Sequence, residues 1–345
     1  MKPQPQQQPV ASFAEIRALL PALPGPDRAA MDAAAAREGQ LTKPPGALGR
    51  LEELTAWLSA WQGRHPPALD RPRVAVFAGN HGVAAQGVSA YPAAVTKQMV
   101  TNLIAGGAAI NQLCKMIDAD LRVYEMNLGE PTADFTRGPA MSEAECAHAM
   151  AYGMVAVEPG IDVLCLGEMG IANTTAGAAL CHALFGGAAR EWVGPGTGIE
   201  GDGLRRKVAA VEAGVIANRT ALGDPLAALA ALGGRELAAI AGAVLAARLA
   251  RVPVVLDGFT CTAAAAVLHA LAPGLLDHCQ VGHCSAEPAH RTLCERIGKR
   301  PLLDLGMRLG DGTGAALAVM AMKGAVACHT GMATFAQAGV SGKEG

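Results

Sequence analysis

"IDVLCLGEMGIANTTAGAAL", residues 161–180, is the stretch on which the fold turns. It opens as an unbroken apolar run, where a strand with one wet face would alternate apolar and polar residues. A glycine-bearing turn follows, holding one carboxylate, Glu168, and an Ala-rich segment of helical character begins at Asn173. Three other stretches repeat the scheme: "VAVFAGNHG" (74–82), "VPVVLDGFT" (252–260) and "PLLDLGMRLGDG" (301–312), the last running into "TGAALAVM" (313–320). Apolar strands separated by helices predict a parallel sheet covered on both faces, and right-handed crossovers make it an open α/β fold. Ligands of such folds bind beyond the carboxyl ends of the strands. All four stretches put polar residues there: Asn80 and His81, Glu168, Asp257, and Asp311.

The 345 residues suffice for one large core, or a large domain and a small one. Aromatic residues are only 3%, so the core is built from Ala, Leu and Val, with 42 glycines allowing close helix packing. A net charge of −2 without a basic tract argues against nucleic acid or an anionic membrane as partner. Nine scattered cysteines, none in a C-x-x-C pair, suit a reducing compartment. "MKPQPQQQPV" (1–10) is polar and lacks the apolar segment of a signal peptide, and "LAAIAGAVLAA" (237–247) is too short to span a membrane. These features predict a cytoplasmic protein. Residues 1–10 read as a disordered tail, 11–65 and 314–345 as helices forming a small helical domain, and 66–313 as the large α/β domain.

Each polar loop has two readings. Gly170 with Asn173, Thr174 and Thr175 is either an anion site at a helix N-terminus or ordinary capping. "GTGIEG" (196–201) matches G-x-G-x-x-G, but the strand before it is short and no acidic strand end follows about 20 residues on, as a dinucleotide site requires. Gly196 and Lys207 instead form a glycine nest with a counter-ion, or a solvated loop. The His and Cys residues of "DHCQVGHCSAEPAHRTLC" (277–294) lack zinc-ligand spacing, so no metal is expected there. Ser285 in the same stretch is a candidate ligand-facing hydroxyl, and His81 is either a base or a structural histidine. Glu168 is a proton acceptor tuned by burial, or a carboxylate satisfied by backbone N–H groups. Asp257 binds ribose hydroxyls or caps a turn, and Asp311 is a catalyst or a helix cap.

Taken together, "KPPGALGRLEEL" (43–54), "GEMGIANTT" (167–175), "VLDGFT" (255–260), "HCSAE" (283–287) and "MRLGDGTGAALA" (307–318) resemble the nicotinate-nucleotide–dimethylbenzimidazole phosphoribosyltransferase family of the cobalamin pathway. The resemblance implies a Rossmann-like sheet domain with a small helical domain from both chain ends, assembled as a homodimer. It implies transfer of phosphoribose from nicotinate mononucleotide to dimethylbenzimidazole, with no cofactor and no metal. By the matching motifs, Asp311 is the general base and Glu168 a second carboxylate near the acceptor. Gly170, Asn173, Thr174, Thr175, Gly196 and Lys207 hold the phosphate, with Asp257 and Ser285 on ribose or phosphate. Tyr91, Gln98, Met169, Leu309 and Gly310 form the base pocket. The family has Glu in "RLGEG" where this chain has Asp311, one methylene shorter, and an acid before the histidine of "GNHG" (79–82). Alternatives are another aromatic acceptor, a non-catalytic nucleotide binder, or, on 196–201 alone, a nicotinamide-dependent oxidoreductase.

Overall fold

The computed structural model describes residues 12–341, so the expected tail at 1–10 lies outside the described residues. Five parallel strands form one sheet: β1 (Pro72–Ala78), β2 (Asp120–Glu125), β3 (Val163–Met169), β4 (Val254–Leu256) and β5 (Cys279–Val281). Their order is β2-β1-β3-β4-β5, the arrangement of flavodoxin-type doubly wound sheets. Ala75, Phe77, Leu164, Leu166, Val254 and Leu256 enter one core with the helices Glu143–Met154, Asn173–Phe185, Arg235–Leu249 and Phe259–Leu271. The alternate residues Val74, Val76, Val163, Cys165 and Val255 enter a second core on the other face. With both faces dry, β1, β3 and β4 carry mostly apolar side chains, hence their long apolar runs.

Two strand assignments change. β2 was passed over by the apolar criterion because it is an edge strand with Asp120, Arg122 and Glu125 carrying charges that block pairing with another sheet. Residues 301–312 do not form a central strand. They add one parallel bridge, Leu303 to His283, and then run as a loop with Leu305 and Leu309 exposed.

The N-terminal and C-terminal segments of the described residues meet. Leu41 bridges Thr334, and Arg37 Nε donates to the His329 carbonyl at 2.7 Å. They form a layer on the sheet, not a unit with a core of its own: Leu54 and Leu58 of the helix Arg50–Gln62 share the second core with Ala315, Val319 and Met322 of the helix Thr313–Gly331. Among the described residues no helix is long and apolar enough to cross a membrane.

On the first face, the helices Glu143–Met154 and Arg235–Leu249 cross at backbone contact. A Cβ on Gly153 would collide with the Ala239 carbonyl, and one on Gly242 with the Met150 carbonyl. Neither carbonyl can turn aside without breaking its helix. Gly242→Val therefore lowers unfolding free energy by about 3 kcal/mol, the upper range for overpacking. A shift of the urea midpoint measures this.

Candidate active site

In this strand order β1 has neighbours on both sides. The connection from β1 to β2 uses the helix Ala109–Ile117, which packs in the second core, whereas β3 is followed by Asn173–Phe185 in the first. Chain segments leaving β1 and β3 therefore diverge and open a crevice. A cleft of about 440 Å³ lies there, floored by Glu168 at the end of β3 and Gly170 after it, Gly258 and Thr260 after β4, and His283 and Ser285 after β5.

Glu168 lies on the cleft wall yet is only 7% exposed. The Asn173 side-chain amide donates to its Oε2, and the Thr260 hydroxyl also hydrogen-bonds to it. Its backbone N–H donates to the Gly310 carbonyl at 2.8 Å. A Cβ at Gly310, where φ is +94°, would stand 2.5 Å from Glu168 Oε1, so only glycine fits against the carboxylate. Burial pushes the Glu168 carboxyl well above the usual range. The Asn173 bond opposes this, while the charges of Glu236 and Asp257 add to it.

One end of the cleft joins a helix N-terminus to a buried lysine. Ala172, at φ +76°, turns the chain into the helix Asn173–Phe185, whose N-terminus has no side-chain cap. Gly170, Asn173 and Thr174 face the cleft there, opposite Gly196, Thr197 and Arg308. Lys207 is 1% exposed and stands behind this wall. Its Nζ donates to Thr174 Oγ1 at 2.8 Å and to the Gly194 carbonyl at 2.9 Å. Burial pulls its pKa down to about 8, against the pull of Glu287. Glu287 Oε1 in turn accepts from the Gly196 N–H at 2.9 Å, and Arg308 Nη1 donates to the Gly196 carbonyl at 2.6 Å. Residues 196–201 are thus a pinned loop preceded by the helix Ala189–Trp192, not by a strand, which removes the dinucleotide context.

The other end is apolar. Tyr91, Met169 and Leu309 line it, joined by Val88, Val95 and Met99. Tyr91 and Leu309 are 55% and 58% exposed at the mouth. Gln98 is exposed and off the cleft, because the helix Ala94–Ala105 presents Val95 and Met99, one turn apart, instead. That i, i+4 pair was the available sequence signal.

Several expected site residues stand elsewhere. Asp311, the expected general base, does not line the cleft. Its Oδ1 accepts from the Thr313 hydroxyl and from the Thr313 N–H at 3.1 Å, and the Ile110 N–H also bonds to it, so one carboxylate caps the helices at 109 and 313. Burial raises its pKa, and those bonds oppose the rise. Asp257 is likewise sealed off, its Oδ1 accepting from the Ala315 N–H at 2.8 Å. Burial raises its pKa too, and His283 opposes. Thr175 is fully buried in the first turn of the helix Asn173–Phe185. Ser285 does line the cleft, its Oγ accepting from the Glu287 N–H at 3.2 Å. His278 bonds to the Val244 carbonyl and His290 to Thr262 and the Ser285 N–H, and burial lowers both imidazoles to about 3. Sequence reasoning also missed Glu287 and Arg308. Asp311→Ala removes a shared cap and lowers stability by about 1–2 kcal/mol, measured by urea unfolding, whereas Asp311→Asn retains the acceptor oxygen and loses less.

Comparison with known proteins gives a consistent picture. A family model described as phosphoribosyltransferase matches residues 23–340. The nicotinate-nucleotide–dimethylbenzimidazole phosphoribosyltransferase of Rhizobium meliloti (strain 1021) is 61% identical over 332 residues, 96% of this chain and 98% of that protein. The enzyme of the same name from Sinorhizobium medicae (strain WSM419) is 61% identical over 331 residues, with the same shares covered. A crystal structure from Thermus thermophilus, described as the same phosphoribosyltransferase, superposes with a TM-score of 0.85 at 43% identity, covering 92% of this chain and 100% of that one.

Proposed function

The chain belongs to the nicotinate-nucleotide–dimethylbenzimidazole phosphoribosyltransferase family, and on that premise we propose how its residues carry the reaction. Phosphoribose passes from nicotinate mononucleotide to dimethylbenzimidazole, giving α-ribazole 5′-phosphate and nicotinate. The observation that carries the residue assignment is Glu168, a buried carboxylate of raised proton affinity between an anion-binding end and an apolar end of one cleft.

The donor's 5′-phosphate occupies the end made by Gly170, Thr174 and Gly196. Lys207 donates to the Thr174 oxygen, which leaves the Thr174 hydroxyl proton to point at the phosphate. Lys207 thus contributes charge from behind the wall. The acceptor's flat ring lies between Met169, Leu309 and the Val95–Met99 face, with Tyr91 at the entrance. In the donor, the bond from C1′ to the pyridinium nitrogen breaks with its electron pair going to that nitrogen. Nicotinate then leaves without needing a proton. One acceptor nitrogen forms the new bond to C1′, and the proton on the other nitrogen passes to Glu168. The negative carboxylate also favours the positive charge developing at C1′. In this reading Asp311 positions the Gly310 turn against Glu168 and does not take the proton.

A second copy of the chain completes the site by covering Tyr91 and Leu309, whose exposure at the mouth supports a homodimer. Light scattering at twice the chain mass is the expected result. The transfer itself is tested by incubating purified protein with both substrates and following products by chromatography. Equal amounts of nicotinate and α-ribazole phosphate are expected. Nucleotide binding with neither product would overturn the assignment.

A further inference from the structure

Behind the cleft lies a buried histidine–carboxylate contact that the transfer reaction does not touch. Glu236 is the second residue of the helix Arg235–Leu249 and is fully buried. His81 follows β1, and its Nε2 stands 2.5 Å from Glu236 Oε1. Three glycines from three segments make room for this carboxylate. A Cβ on Gly79 would overlap it, one on Gly234 would lie 2.7 Å from Oε2, and one on Gly170 would lie 3.0 Å from Oε1. Gly170 is itself part of the cleft wall, so the carboxylate sits directly beneath the crevice between β1 and β3. Glu236 Oε2 and His81 Nδ1 have no hydrogen-bond partner. Replacing such a buried pair by well-packed apolar residues is often neutral for folding, so the pair is weak as a stability device.

We propose that Glu236, held by His81 beneath the cleft floor, is a positioning residue for Glu168: it sets a second carboxylate behind the one that accepts the acceptor's ring proton. The proposal rests on the reading of Glu168 as the general base. The groups that face Glu168 are Glu236, Asp257 from the end of β4, and the Cys261 thiol of the helix Phe259–Leu271, with Asp311 and the His283 imidazole beyond Asp257. Glu236 faces His81, Glu168 and Cys261. Lysine and arginine are absent from this set. Carboxyl groups therefore crowd around Glu168 in a dry site, and each that is ionised favours the protonated form of Glu168 and its uptake of a proton during reaction.

The test is the pH dependence of kcat/KM for dimethylbenzimidazole at saturating nicotinate mononucleotide, with melting temperatures recorded alongside. Ionised Glu168 is the active form, so kcat/KM rises with pH through its pKa. Glu236→Gln keeps the volume and an oxygen for His81. It is expected to move this acid limb about one pH unit lower and to reduce the plateau several-fold, because the base is weaker. Glu236→Asp keeps the charge and leaves the limb where the parent has it. An unmoved limb in Glu236→Gln, or an equal shift in both variants, overturns the proposal. If Glu236→Gln does not fold, His81→Gln decides: it leaves the carboxylate without its counter-group and moves the limb upward, and an unmoved limb again overturns the proposal. Glu168→Gln separates the two claims. Full turnover in that variant removes the general-base reading itself, whereas loss of turnover with unmoved limbs at 236 and 81 removes only the role of Glu236.

Discussion

Glu168→Gln lowers kcat for α-ribazole phosphate formation by about 10²–10⁴-fold, the usual worth of a positioned general base, and leaves KM for nicotinate mononucleotide within a few-fold. The amide fills the same space and still accepts from Asn173 or Thr260, so the floor of the cleft survives. What it cannot do is take a proton. The donor half of the reaction needs no acid, since the pyridinium leaves as a neutral ring, and the loss falls on the step in which the acceptor is deprotonated. Such a variant is therefore rescued in part by raising the pH toward the point where the acceptor's own ring N–H ionises.

Lys207→Met raises KM for nicotinate mononucleotide by about 10- to 150-fold, which is the loss of about 1.5–3 kcal/mol expected for a hydrogen bond to a charged group. Beyond the missing charge, the substitution leaves Thr174 Oγ1 and the Gly194 carbonyl without their donor and Glu287 without its cation. The parent enzyme carries a pH signature of the same group. With Lys207 near pKa 8, its cationic form dominates below that pH, so kcat/KM for the nucleotide falls as pH rises through about 8. Lys207→Met has no such alkaline limb. A steady-state pH series on the two proteins shows both effects.

How much of this was legible in the sequence follows from which residues see only one environment. β1, β3 and β4 could be read because both faces of those strands are dry and their residues are mostly apolar. β2 could not, since an edge strand carrying Asp120, Arg122 and Glu125 looks like a loop. In 301–312 the leucines imitated a strand, yet Leu305 and Leu309 stay exposed and Leu309 turns to the cleft. That Gly170, Asn173 and Thr174 share one helix start on the cleft was legible because the arrangement is local in sequence. Glu287 was not, because its partner Gly196 is distant in sequence.

Asp311 shows where local reading stops. An acid beside glycines at a helix start suits a cap and a catalyst equally, and the resemblance favoured the catalyst. The choice depends on which way the chain turns at Gly310 and Gly312, both at positive φ. That turn lays the Cα of Gly310 against Glu168 and sends the Asp311 carboxylate to Thr313 and Ile110. A shorter side chain than the family's glutamate is then no handicap, since a cap needs only to reach the nearest backbone N–H groups.

The measurement that bears most directly on this account compares kcat for Glu168→Gln and Asp311→Asn, side by side, on nicotinate mononucleotide and dimethylbenzimidazole. The account predicts a fall of about 10²-fold or more at residue 168 and at most a few-fold change at residue 311. The reverse order, with turnover surviving in Glu168→Gln and lost in a folded Asp311→Asn, would contradict it.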